Sequence, residues 1–517
     1  MSASPCALLA VLATAGLLAT GCSDDATLTS NANAGGSVVV AEAEAPNSLD
    51  PALASTPAAR RTAWLAYTPP LTYRRVEGQG GTELIPALVE KLPETSDDGR
   101  TYRLTVKPGL RYSNGQVLRA SDFERAIARS MRLNRAAAGA FEHIVGARHY
   151  AASRGTSSDV PGIVAHDSKG VVRIELETPD RLFAYALATS WAAPVPRGTS
   201  LESLTERPPP GIGPYRVAQV RRGGDVVLER RESWQLAAVP AGKPREIVTR
   251  TIPDVEQRVR AVQDGRVDLV EGESPVRLLP DIRSAPGDRY EEHRTLRSLY
   301  VAIDADRAPF RDEDVRRALS LALDVSDLER IYDGFLKPSC NALPPDVPGY
   351  QAIDPCPFGD RSGDPDLLEA SRLVERARAR RTPVGIAQGG DSRGRALTAW
   401  LTRVLRKIGL AARPVPAARA QLAFATVDPS IPHPAAYFRS IDDPVLRARV
   451  RLLEQESDAR DSVTDWARVD KDAVSKAYLA PFGVETAGVL ASRRLDMANC
   501  SRFHAVMGMD YSSVCLR

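Results

Sequence analysis

Between Thr101 and Met131 the hydrophobic period of the chain changes from two to about four, and that switch dictates the class of fold. Tyr102, Leu104 and Val106 alternate with Thr101, Arg103, Thr105 and Lys107, the pattern of a half-buried strand, and Pro108-Gly109 stops it. Phe123, Ile127 and Met131 then recur every four residues behind Ser121 or Asp122, either of which can cap a helix. The alternation returns elsewhere. Residues 37–43 (SVVVAEA) and 384–386 read as strands, while Val315, Ala318, Leu319 and Ala322 share one helical face behind the acidic turn Asp312, Glu313 and Asp314. Ser326 is expected to cap a second helix ending at Gly334. Leu397, Leu401, Val404, Leu405 and Ile408 form a further stripe, closed by Gly409. Strands interleaved with such helices predict an α/β fold.

The fold is preceded by an uncharged run of 14 residues, Cys6 to Ala19, ending in Leu18-Ala19-Thr20-Gly21-Cys22. A run this short cannot span a bilayer, which takes roughly 20 residues, and small residues before a cysteine are what a lipoprotein signal peptidase accepts. Residues 1–21 are expected to be a signal peptide and Cys22 the lipidated N-terminus. Residues 2–21 hold no Lys or Arg, so the usual basic n-region is missing. Residues 22–36 are polar and small, as in a flexible tether. The expected location is extracytoplasmic, anchored to the cell membrane through lipid alone.

Charge and cysteine usage narrow the function. Lys plus Arg is 68 and Asp plus Glu is 65, giving +3, a balance that gives no reason to expect a nucleic-acid partner. Once Cys6 leaves and Cys22 carries lipid, four cysteines remain. Cys340 with Cys356 and Cys500 with Cys515 form two local pairs, and an oxidising compartment favours disulfides. Zinc is the rival, but a structural zinc site takes pairs about two to four residues apart. No metal or cofactor site is therefore expected.

The glycine-rich loop 389–394 lacks the Gly-Lys-Ser/Thr of a P-loop, and Gly211-x-Gly213 runs into Pro214-Tyr215 instead of a helix. Turn chemistry accounts for both. His143, His149, His166, His293, His433 and His504 form no His-Glu-x-x-His, and no Gly-x-Ser-x-Gly surrounds a serine, so no enzyme is expected.

The stretch 101–123, with its strand, Lys-Pro-Gly-Leu, aromatic-Ser-x-Gly and Ala-x-Asp-Phe, resembles the signature of the family 5 extracellular solute-binding proteins of oligopeptide, dipeptide and nickel ABC transporters. Leu49-Asp50-Pro51, GIGPYR at 211–216, GRVDL at 265–269, PFRDEDVRRALSLALD at 309–324 and LPPDVPGY at 343–350 match in the family's order. The resemblance implies a two-lobed, periplasmic-binding-protein type II-like α/β fold. Lobe I would comprise 37–71, 194–295 and 485–517, with an inserted subdomain at 72–193, and lobe II would comprise 296–484. It further implies a monomer that closes over a peptide or peptide-like ligand and delivers it to ABC transporter permease subunits.

In peptide-binding members an Asp of a Trp-x-x-Asp-x-x-x-Pro-like segment meets the ligand's ammonium. Residues 424–432 (FATVDPSIP) place Asp428 there, without the Trp and with Pro429 directly after. The expected cleft residues are Asp428, Phe424, Ala425, Thr426, Val427, Ser55 and Thr56. An Asp-Pro turn cap is the alternative for Asp428, and glycosides or nickel chelates stay open as ligands. From another class, an envelope sensor or structural lipoprotein without transport carries the same signals.

Overall fold

The computed structural model describes residues 35–517 apart from Asp97, 154–158, Glu206, 222–223, 273–278, 285–288, 360–362, 429–430, Asp442 and 456–458. The signal segment, Cys22 and the tether through residue 34 lie outside the described residues, as do Asp97 of the turn at 96–99 and Pro429. In chain order the principal elements are β1 (Ser37–Glu42), α1 (Pro57–Ala66), β2 (Glu94–Thr95), β3 (Thr101–Thr105), α2 (Ala120–Leu133), β4 (Ile163–His166) and β5 (Val171–Glu175). Next come β6 (Tyr215–Val220), β7 (Val226–Arg230), β8 (Glu246–Thr251), β9 (Leu269–Gly272), β10 (Tyr290–Ile303), α3 (Glu313–Leu321) and β11 (Leu336–Pro338). The last are β12 (Pro383–Ala387), α4 (Ser392–Lys407), β13 (Ala411–Val415), β14 (Leu422–Val427), α5 (Pro444–Leu453) and β15 (Leu479–Ala491).

Among the described residues one sheet runs in the order β13-β12-β14-β10-β15-β9-β1-β8-β7-β6, with β11 also on β15. Its two central strands cross from one lobe to the other. Tyr290–Arg294 of β10 pairs with Leu490–Thr486 of β15 on the side where β15 also meets β9. Ser298–Ala302 of β10 pairs with Val484–Leu479 on the side where β10 meets β14. Between Arg294 and Ser298 the register shifts, so the ribbon bulges at its midpoint. Every residue of β15 is buried, and it carries glycine where backbones close in: a Cβ at Gly483 would lie 2.7 Å from the Lys337 carbonyl oxygen.

Separate cores fill the two sides. On one, Leu299, Val315, Leu319, Leu401 and Phe482 pack α3 and α4 onto the sheet. On the other, Val40, Leu65, Leu269 and Val489 pack α1. A third core, around Tyr102, Phe123, Ile127 and Ile174, belongs to the smaller sheet β2-β3-β5-β4 and α2. The helical faces read from sequence are the buried ones: Val315, Ala318, Leu319 and Ala322 are all fully covered. Helix caps differ from expectation. Asp122 lies in the third position of α2 and accepts from the Arg119 N–H, and Asp324 caps helix Val325–Ile331 while Ser326 donates to it. Carboxylates here outcompete the serine hydroxyls as acceptors at helix starts. Cys340 is joined to Cys356 and Cys500 to Cys515.

Asp50, in the turn after β1, anchors the smaller core to lobe I. Its carboxylate forms a bidentate ion pair with Arg129 of α2 and accepts from the Ala52 and Leu204 N–H groups, while Arg129 Nε donates to the Ser200 carbonyl. Both side chains are at most 1% exposed. Removing one partner strands the other charge in the interior, at about 3–5 kcal/mol. Asp50→Asn should therefore lower the unfolding free energy, from urea titrations followed by circular dichroism, by an amount of that size, and adding Arg129→Met should recover part of it. A loss below about 1 kcal/mol, the range of an exposed pair, would contradict the anchoring role.

Candidate functional site

A cavity of about 1110 Å³ opens between the two sides of the crossing ribbon. Ser55 and α1 line one side, residues around 136–143 and 179–191 add to it, and Asp428, Ile431, Arg439, Arg451, Glu454 and Gln455 line the other. Trp64, Tyr67, Tyr73, Phe183, Tyr185 and Trp191 make much of its wall aromatic. Its size lies just above the usual range of small-molecule pockets, roughly 300–1,000 Å³.

The structure brings Ser55 and Asp428 to the same cavity, from opposite sides. Asn47 sets the first of them: its Oδ1 accepts from the Ser55 and Thr56 N–H groups. Thr56 does not line the cavity, because its hydroxyl caps α1, accepting from the Ala59 N–H. Nor do the residues of β14 line it. Along a strand alternate side chains take opposite faces, and Phe424 packs tilted against Trp400 and edge-on to Phe482 in one core while Ala425 and Val427 pack against the other. Thr426 is exposed and pairs through its backbone with Leu299. Of the segment 424–428, only Asp428, just beyond the end of the strand, reaches the cavity.

Asp428 is not an isolated carboxylate. Arg297, in the bulge of β10, donates from Nε to Asp428 Oδ2 and from Nη1 to Glu485 Oε2, each at 3.0 Å. Loss of water opposes the Arg297 cation, but Asp428 and Glu485 outweigh it and hold its pKa above the ordinary arginine value. Thr295 Oγ accepts from the Arg297 N–H and donates to the Glu485 carbonyl, so both strands of the ribbon position this triad. Arg297 was not legible in the sequence, since nothing there marks the bulge.

Behind the aromatic wall lies His504, within the loop closed by Cys500–Cys515. Its Nε2–H donates to the Arg74 carbonyl, and Nδ1 accepts from the Val506 and Met507 N–H groups, two residues that line the cavity. Trp64 packs on its ring at 5.3 Å, with Arg75 stacked on the indole. These bonds require a neutral imidazole, and burial pushes its pKa down to about 4; Asp510 opposes the shift, while Arg75 and Arg502 reinforce it. A folded-state pKa below the unfolded value of about 6.5 means the contribution is complete above pH 6.5 and is lost as pH falls toward 4.

The loss is roughly 3 kcal/mol over that span. His504→Phe should be destabilised at pH 7.5, and its deficit relative to wild type should shrink by about that amount between pH 7 and 4 in urea titrations. Parallel pH profiles for the two proteins would contradict it.

No helix among the described residues is long and apolar enough to cross a membrane. The family model for bacterial extracellular solute-binding proteins, family 5, middle region, matches residues 83–426. Oligopeptide-binding protein OppA of Bacillus subtilis is 24% identical over 271 residues, 50% of this chain and 48% of the relative. Heme-binding protein A of Haemophilus influenzae is 24% identical over 357 residues, 64% and 61% of the two. The chain thus spans about half to three-fifths of the length of these curated relatives. Among solved structures, clavulanic acid biosynthesis oligopeptide binding protein 2 superposes with a TM-score of 0.79 at 20% identity, covering 94% of this chain and 96% of that one. The unliganded open form of the murein tripeptide-binding protein MppA gives 0.78 at 16% identity, covering 93% and 97%.

Proposed function

The chain belongs to the bacterial extracellular solute-binding proteins of family 5, and from that premise we propose that it captures peptides by lobe closure and hands them to an ABC transporter permease. The observation that carries this reading is the interlobe cavity, with Ser55 on one wall and Asp428 on the other. Arg297 occupies Asp428 Oδ2, leaving Oδ1 to accept from a ligand ammonium. The backbone of an extended peptide can pair with groups of both lobes, and aromatic walls accept varied side chains in a wet pocket.

The lobes divide at the crossing ribbon: 37–71, 194–295 and 485–517 form lobe I, 72–193 is its inserted subdomain, and 296–484 forms lobe II. The bulge between Arg294 and Ser298 supports a hinge there. The motif ending in Cys22 supports a lipid anchor that keeps the protein beside its permease as a monomer. A second reading, a flat non-peptide solute, is favoured by the six aromatic side chains of the wall.

Calorimetry with a tripeptide library, after unfolding and refolding to strip cargo, separates the two readings. Because Asp428 is 51% exposed in this arrangement, its loss should cost less than that of a fully buried partner. Asp428→Ala and N-acetylation of the peptides should each weaken binding by about ten- to a hundredfold, roughly 1.4–2.8 kcal/mol. Unchanged affinity in Asp428→Ala would remove the site assignment. Binding of no peptide would overturn the peptide reading.

A further inference from the structure

The segment 376–421 carries eleven Arg and Lys against one carboxylate, Asp391, in a chain whose whole balance is only +3. Folding gathers these charges instead of dispersing them. Helix Leu367–Arg376 gives way to a turn, α4 ends at Lys407, and the strands that follow them, β12 and β13, run parallel from neighbouring starts, with Pro383 opposite Ala411. The Arg381 N–H donates to the Gly409 carbonyl, and the Ala411 N–H donates to the Thr382 carbonyl. A Cβ at Gly409 would lie 3.7 Å from Arg380 Cγ. The two basic turns therefore touch. They stand at the strand ends away from the cavity, because β12 runs parallel to β14 and Asp428 follows the last residue of β14.

Arg378, Arg380, Arg381, Arg403, Lys407 and Arg413 are exposed, and none has a carboxylate partner among the described residues. Asp314 pairs with Arg376, and Asp391 caps α4 at its other end, 16 residues or about 24 Å away. Glu375 is the nearest carboxylate in sequence. The favourable field at a helix C-terminus accounts for Lys407 and Arg403. It does not account for Arg380 and Arg381, which lie beyond a helix end, or for Arg413 within a strand. Arg378 and Arg381 moreover hold φ of 54° and 60°, a left-handed backbone that glycine adopts at least cost. Like charges gathered this closely repel one another, and guanidinium groups match phosphate oxygens with paired donors. We infer that this patch rests on the anionic phospholipid headgroups of the membrane. The inference rests on reading Cys22 as a lipid anchor. The 14 residues 23–36 then reach at most about 50 Å fully extended, so the patch is never far from a surface that attracts basic clusters. Its place away from Asp428 lets the protein sit on lipid without covering the cavity.

The test is co-sedimentation of the mature chain carrying Cys22→Ser, so that no acyl chain contributes, with vesicles of phosphatidylcholine alone or mixed with an equal part of phosphatidylglycerol. At low salt it should bind the anionic vesicles at least about tenfold more tightly, and the preference should disappear near 1 M salt, where the Debye length is about 3 Å. Replacing Arg378, Arg380 and Arg381 together by Gln should lose about tenfold or more of that binding. The pair Arg403→Gln and Lys407→Gln, on the exposed face of α4, should weaken it too without touching the left-handed turn. Arg173→Gln, Arg216→Gln and Arg260→Gln together remove three charges from exposed positions elsewhere and should bind like the parent chain. Circular dichroism checks that each variant folds. Equal loss in the two triple variants would assign the binding to net charge and overturn the patch. Equal binding to both kinds of vesicle, or binding unmoved by salt, overturns the inference as well. Binding to inorganic polyphosphate with none to anionic vesicles overturns the membrane assignment and gives the patch to a soluble polyanion. Each of these failures leaves the anchor standing, since labelling of wild type and Cys22→Ser with palmitate decides that reading separately.

Discussion

Everything in this molecule hangs on the pairing of β10 with β15. Among the described residues these two strands run from one half of the large sheet to the other, and each half then recruits its own partners: β9, β1 and β8 on one side, β14 and β12 on the other. A continuous ladder resists shear and stretching but can twist and bend where its register breaks. It breaks between Arg294 and Ser298. Each half thus has a core of its own, and the two are joined where the ladder is locally interrupted.

The same bulge places the site's charges. Three residues of β10, 295–297, stand opposite the single Glu485 of β15, and Arg297 lies in that excursion. It meets Glu485 from the opposite strand and Asp428 from the end of β14. The group that meets Asp428 is thus carried by the ribbon itself, with Glu485 on its second strand. The wall opposite is held differently, by the neutral imidazole of His504 and the stack of Trp64 and Arg75 behind it. That wall is built on buried, pH-sensitive hydrogen bonds.

How much of this could be read from the chain depends on range. The periodicity of Val315 to Ala322 named a buried face because helix phase is a local property, and the cysteine pairing followed from spacing and compartment. The segment 424–427 illustrates the limit. Its sequence gives an apolar strand, but which face meets a cavity and which meets Trp400 is decided by the other layers: Phe424 packs into one core, Ala425 and Val427 into another, and Thr426 is exposed. Asp428 escapes because it lies just past the end of the strand. Arg60 and Arg61 are adjacent and chemically identical, yet one is pinned by Glu42 and the other opens to the cavity; a helical step of about 100° separates those fates. Asp50 was legible as part of a motif, though its partner Arg129, 79 residues away, was not.

The central claim is that ligand capture and lobe closure are one event on this hinge. Spin labels at Glu177, beside the subdomain wall, and Leu452, on α5 at the lobe II wall, report the span across the cavity mouth; both positions are exposed. Double electron–electron resonance should show a shorter and narrower distance distribution once a tripeptide with demonstrated affinity is added at saturation. A distribution that does not change while calorimetry shows the peptide bound would contradict the account.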